Sequence, residues 1–378
     1  MTPFLFGFSP SIENSPFLDT MKALQAVGDN TGNLAFCFAI DRQLGGNLKS
    51  ILWHASPELI DSFGDLGVLT LANQLGPHAD LGYLATNFRK LKCGLVGIGL
   101  GAQAGNSEEE VTIPDGTLDW VRAIQEHSVN NGPNIALRGE FSRRALERYG
   151  LSERTVVVGC PTLFINPDNK LGEVISSKLD RDFKFIAVTA GHQRWVHLSR
   201  IESSLAAMAT VTGGAYVCQS PLQMVQIGRG EADSISPKDL EDCKNYIAPY
   251  MSDEEFIVWT KNHARSFFSA AAWMEHIRRY DLVIGTRIHG VMLALQSGVP
   301  GLCIAHDSRT VELCETMLVP FVHAKDVAQG IKRSDLRKLI KFDPTEFDQN
   351  RKKLASIYLN FLAQNTLTPA PYLSDLAA

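Results

Sequence analysis

The chain has 378 residues, 45% of them apolar and 20% charged, with a formal net charge of -5 at pH 7. That length suffices for two ordinary domains of roughly 150 residues with filled cores, and the acidic balance argues against a surface built for nucleic acid. Seven cysteines, at 37, 93, 160, 218, 243, 303 and 314, are odd in number and hold no C-x-x-C pair, which fits neither a disulfide framework nor a zinc site and suits a reducing cytoplasm.

The opening MTPFLFGFSPSIENSPF has no basic segment and is interrupted by prolines, so no leader is expected. No window approaches the ~20 apolar residues of a membrane helix. Short apolar runs then alternate with amphipathic stretches to the end, the pattern of α/β layers on mainly parallel sheets. Strands are predicted over 34–40, 50–53, 67–71 and 91–98. Ahead of the first lies GDNTGN (28–33), where Asn30, Gly32 and Asn33 offer small polar groups and backbone N–H to an anion or a sugar hydroxyl.

GIGLGAQ (97–103) has the spacing of a dinucleotide-binding loop. The QAGNSEEEVTIPDG that follows is polar, acidic and broken by proline, so no helix is expected to open there and receive a pyrophosphate. Gly99 and Gly101 are expected instead to let a tight loop line a cleft. The run Ile135-Ala136-Leu137 delivers Arg138 at its end; a helix over 143–149 closed by Gly150 and a β-branched strand over 155–158 come next.

The polar stretch 166–182 reads as a junction, giving domains 1–175, 176–342 and a terminal segment 343–378. FKFIAVTAG (183–191) is a strand, with His192 and Arg194 just beyond its carboxyl end. A helix over 198–212, a strand over 214–219 and a helix over 264–280 follow. Leu282, Val283 and Ile284 form a buried strand and 291–298 a packed helix, with Arg287 and His289 in the turn between them. On an extended turn these two side chains share a side, and the helix start at Gly290 adds N–H groups that favour an anion.

After a strand over 301–305, Asp307 and Glu312 can bind sugar hydroxyls or orient His289; alternatively Arg309 and Glu312 pair on one helix face. Trp195 and Trp259 can stack on a sugar or fill a core. Near the end, Asp343-Pro344-Thr345-Glu346 is a helix start, followed by an apolar stripe of Leu354, Ile357, Tyr358, Phe361 and Leu362. The histidines show no H-x-x-x-H or H-E-x-x-H spacing, so no metal is expected.

The run GTRIHGVMLALQSGVPGLCIAHDSRTVEL (285–313) resembles the C-terminal signature of the polysaccharide pyruvyl transferase family. Weaker echoes are GDNTGN, GIGLGAQ and ALRGEFSRRALERYG (136–150); together they cover most of 28–320. The chain departs at Asn33, where the family often has Asp, and at Gly139, where an acidic residue follows the Arg.

The resemblance implies two Rossmann-like α/β domains facing across a cleft in a glycosyltransferase-B-like arrangement, with the C-terminal helix packing back. It also implies transfer of a pyruvyl group from phosphoenolpyruvate to a sugar diol. On this reading His289 and Arg287 are catalytic, and Arg194, Arg138, Gly290 and His192 bind the donor. Asn30, Gly32, Asn33, Gly99, Gly101, Glu312 and Asp307 bind the acceptor. Phosphoenolpyruvate is a co-substrate and no resident cofactor is expected. The partners are phosphoenolpyruvate and a saccharide, with lipid linkage and homo-oligomerisation left open, and with neither nucleic acid nor an integral membrane segment. The expected location is the cytoplasm, or the periphery of the inner membrane face. Two alternatives remain: a nucleotide-sugar glycosyltransferase on the same plan, and an inactive saccharide-binding member.

Overall fold

The computed structural model describes residues 1–105 and 109–378. Part of the acidic stretch after Ala102, expected to be free of helix, therefore lies outside the described residues.

Two α/β lobes are each built on a six-stranded parallel sheet. The first contains β1 (Pro3–Phe6), β2 (Ser50–Ile51), β3 (Leu66–Thr70), β4 (Gly94–Leu100), β5 (Ile135–Leu137) and β6 (Thr155–Val157), in the order β2-β1-β3-β4-β5-β6. The second contains β7 (Ile186–Thr189), β8 (Tyr216–Val217), β9 (Ala264–Arg265), β10 (Leu282–Gly285), β11 (Gly301–Ala305) and β12 (Phe321–His323), in the order β12-β11-β10-β7-β8-β9. Counted within its own lobe, this second sheet has the 3-2-1-4-5-6 order of a Rossmann fold. Each sheet reverses its strand order once, between β1 and β3 and between β7 and β10. Connections depart to opposite faces there, which opens a crevice at the carboxyl ends of the strands.

Most predicted elements appear within a few residues of their expected bounds, and three do not. The 34–40 segment is a helix, Asn33–Gln43, not a strand. Leu34, Ala35, Phe36, Cys37, Ala39 and Ile40 are all buried, so the helix is covered on nearly every side and shows no 3.6-residue period. The 264–280 segment is the short strand β9 followed by the helix Ala270–Ile277. Arg287 and His289 do not share an extended turn: Arg287 is extended at the N-cap of the helix Ile288–Gln296, and His289 lies in that helix's first turn. β1 was hidden by its setting, because Pro3 opens it and Pro10 follows soon after. Proline is tolerated at a strand's first residue.

Three hydrophobic clusters span both lobes, and one also takes in the terminal helix. That cluster joins Leu5, Val68 and Val96 of the first lobe to Ile288, Met292 and Cys303 of the second and to Leu354, Tyr358 and Phe361 of the helix Pro344–Gln364. That helix begins as expected, with the Asp343 carboxylate accepting from the N–H groups of Thr345 and Glu346, both at 2.9 Å. Within it Arg351, 1% exposed, donates to the carbonyls of Leu163, Asp168 and Asn166 at 3.2, 2.8 and 2.8 Å. The terminal helix thus clamps the connection between the two sheets. Among the described residues no helix is long and apolar enough to cross a membrane.

Candidate active site

Four side chains converge from both lobes. β10 delivers Arg287, 8% exposed, whose Nη2 donates to Ser220 Oγ at 2.7 Å and whose guanidinium sits 4.6 Å from the Trp195 ring centre. The next helix carries His289, 7% exposed, with Nε2 at 3.8 Å from Cys160 Sγ and its ring 5.4 Å from Phe36. β5 delivers Arg138, 1% exposed, which makes one long bond to the Leu71 carbonyl at 3.4 Å and lies 5.9 Å from the Phe36 ring. Arg309 meets Asp307 at 3.4 Å.

These arginines are short of partners. Nε and Nη1 of Arg138 and the Nε atoms of Arg287 and Arg309 are buried with no hydrogen-bond acceptor. Of the nearby carboxylates, Asp307 reaches Arg309, whereas Glu312 accepts from Ser142 N and Oγ at 2.6 and 2.8 Å. Glu312 therefore ties its own helix, Ser308–Met317, to the start of Glu140–Glu147 in the other lobe. Buried cations without counter-charges are unfavourable, and a small bound anion would relieve them.

Burial, then the charges of Arg138, Arg309 and Arg287, holds the His289 imidazole well below its usual range. Burial and Arg309 bring Arg287 down to about 10. Burial, with Arg287 and Arg194, lowers His192 to about 4. His306 also falls to about 4, chiefly through burial. All three imidazoles are therefore neutral at pH 7. Behind Arg287, the fully buried Glu202 accepts from Gly191 N at 3.0 Å and from the Tyr216 and Tyr246 hydroxyls at 2.5 and 3.3 Å. Burial raises its pKa despite those donors.

Other expected site residues lie elsewhere. Arg194 is exposed and lines a separate cavity with Gln193, Asp239 and Tyr246, so Arg309 takes the place in the cluster expected for it. His192 packs 5.6 Å from Trp195, at the rim of the cluster. Gly290 serves packing, since a Cβ there would come within 2.3 Å of Thr189 Cγ2. Gly101 serves Arg138, whose Cδ would lie 2.7 Å from an added Cβ, and Gly99, at φ +90°, sits at a register shift within β4 between Ile98 and Leu100.

The GDNTGN loop is a seam between lobes: Thr31 N donates to the Gln219 carbonyl at 3.0 Å, and a Cβ on Gly32 would meet Gln219 Oε1 at 2.6 Å. Asn33 Nδ2 donates to the carbonyls of Val27 and Gly28, and Asn30 Oδ1 accepts from Gly32 N at 2.9 Å. Asp307 caps its helix by accepting from Thr310 N at 2.8 Å and makes no contact with His289, which Cys160 holds instead. Trp259 is core, with Nε1 bonded to Thr210 Oγ1 at 2.6 Å. Cys160, Phe36, Ser220, Glu202 and His306 were not foreseen. Among the described residues no set of three or more His, Cys, Asp or Glu is gathered to hold a metal ion.

The sequence profile of the polysaccharide pyruvyl transferase family matches residues 30–308, a span that includes Arg138, Cys160, Arg287 and His289. The chain belongs to this family. Membership in the polysaccharide pyruvyl transferase family implies transferase activity. No curated protein matches the chain. Among solved structures it is similar to a UDP-N-acetylglucosamine 2-epimerase from Rickettsia bellii, with TM-score 0.45 and 12% identity over 96% of this chain and 95% of that one. A UDP-GlcNAc 2-epimerase from Methanocaldococcus jannaschii in complex with UDP-GlcNAc and UDP gives 0.42 and 13% over 94% and 99%. The glycosyltransferase SnogD from Streptomyces nogalater gives 0.32 and 13% over 96% and 84%.

Proposed function

We propose that this chain transfers a pyruvyl group from phosphoenolpyruvate to a saccharide diol, closing a pyruvate ketal and releasing phosphate. The observation that supports it is the set of unpartnered, buried guanidinium N–H groups on Arg138, Arg287 and Arg309 around a buried imidazole. Phosphoenolpyruvate carries a carboxylate and a phosphate, and planar guanidinium forks match both.

In this reaction the donor's methylene carbon takes a proton, which makes the neighbouring carbon electrophilic. One sugar hydroxyl attacks that carbon, its bond to the phosphate oxygen breaks, and a second hydroxyl closes the ketal. One proton is given and two are taken, the surplus leaving with phosphate. His289 handles this traffic. Its Nε2 faces Cys160, so Nδ1, which has no hydrogen bond among the described residues, faces the exchange. A bound dianion offsets the arginine charges and raises the imidazole pKa toward the working range. Arg287 and His289 are nearly enclosed. No resident cofactor takes part. We place the reaction in the cytoplasm or at the periphery of the inner membrane face, with lipid linkage of the acceptor left open.

The test incubates purified protein with phosphoenolpyruvate and a panel of galactose-, mannose- and glucose-terminated saccharides. Phosphate release that depends on the saccharide, with a matching pyruvyl mass gain, is the expected result. Sugar transfer from a nucleotide sugar, with no reaction of phosphoenolpyruvate, would overturn it.

A further inference from the structure

The first lobe holds a cavity of about 560 Å³ outside the arginine cluster. Gly7 and Phe8 follow β1, Trp53 and His54 follow β2, and Asn73 and Gln74 follow β3 along its wall. It therefore opens at the carboxyl ends of strands beside that sheet's reversal point, where sheets of this order receive ligands.

Its chemistry contrasts with that of the cluster. Among the described residues no Asp, Glu, Lys or Arg lines it. His54 and Tyr83 stack with ring centres 5.7 Å apart and planes 3° from parallel, yet Tyr83 is 58% exposed. The Trp53 indole is fixed by donation from Nε1 to the Phe6 carbonyl at 2.6 Å. Amide groups stand ready beside these rings. Asn30 and Gln74 use only their oxygens, accepting from Gly32 N at 2.9 Å and Ala72 N at 2.7 Å, so their NH₂ groups are free; the Gln25 side chain has no bond among the described residues. Ordered aromatic faces beside free amides match a pyranose, which offers a C–H face for stacking and hydroxyls for hydrogen bonds.

The cavity also adjoins the candidate chemistry. Phe36 lines it and lies 5.4 Å from the His289 ring. Asn73 donates to Gln103, which donates to Asp307 at 3.4 Å beside Arg309.

We propose that this cavity seats an uncharged pyranose, with Trp53 and Tyr83 as stacking surfaces and Gln25, Asn30 and Gln74 reading hydroxyls. Calling that sugar the acceptor rests on the pyruvyl transfer reading; its binding does not.

Calorimetric titration of the full chain, without phosphoenolpyruvate, uses lactose, cellobiose, β-1,4-mannobiose and digalacturonate. At least one neutral disaccharide should bind saturably and digalacturonate should not. Trp53→Ala and Tyr83→Ala should each weaken binding about tenfold while keeping the parent's cooperative thermal unfolding transition, which shows that they fold. The proposal is overturned if no neutral disaccharide binds, if digalacturonate binds equally well, or if both variants bind as the parent does. Saccharide binding without any saccharide-dependent phosphate release would sink the transferase reading and leave the cavity assignment standing. Transfer with an unchanged saccharide KM in Tyr83→Ala would do the reverse.

Discussion

His289 combines two properties seldom found together, a proton-carrying ring and near-complete burial among cations. On the proposed mechanism it gives and takes the protons, so in His289→Ala kcat is expected to fall by about 10² to 10⁴, with the thermal midpoint little changed. Steady-state kinetics on the purified variant check this, and a loss smaller than about tenfold contradicts the role. Arg287→Lys keeps a charge but loses the fork that fits a carboxylate or phosphate; the expected result is a raised KM for phosphoenolpyruvate. Cys160 Sγ lies 3.8 Å from His289 Nε2, and on the proposed mechanism it positions that ring. Cys160→Ala is expected to lower kcat severalfold and displace the pH profile, leaving the donor KM alone, whereas Cys160→Ser retains a hydrogen-bonding partner and most of the rate. An identical pH profile in both variants would show that the thiol does not position the ring.

Among the elements, the terminal helix offers the sharpest energetic test. Arg351 satisfies three carbonyls in the connection between the sheets, and Ala would leave them buried without donors. A loss of about 3 kcal/mol in urea unfolding is expected; less than about 1 kcal/mol would mean that water replaces the guanidinium. The start of this helix was legible because its cap is local chemistry: an Asp, a Pro and a Glu in fixed order. The buried helix Asn33–Gln43 was not, because side chains covered on all sides leave no period to read.

Site legibility divides the same way. Arg138 and Arg287 follow strand-like apolar runs, so their place at strand ends could be inferred. The spacing of Arg309 and Glu312 suggests a pair on one helix face, but that carboxylate reaches across to Ser142, a contact that only tertiary structure sets. Gly139, the departure from the family pattern, has a reason on the same seam: an added Cβ would lie 2.4 Å from Glu312 Cγ.

For the molecule as a whole, neutral buried imidazoles make stability depend on pH. An unfolded His titrates near 6.5, while burial lowers folded His192 and His306 to about 4 and holds His289 well below its usual range. Between those values the unfolded chain binds protons that the folded chain does not, so stability falls as pH drops from about 6.5 to 4. A decrease in thermal midpoint of roughly 5 °C or more across that window is expected, reduced in His306→Gln and by saturating phosphoenolpyruvate. A flat profile would mean that these rings take up protons without cost in the native state.

The apolar packing common to both lobes carries a last consequence. A gene divided in the 166–170 segment would yield two half-proteins, each with a broad oily scar where the other belongs. Neither half is expected to stay in solution when produced alone. Made together, they should find one another and restore a working particle, as a split reporter does.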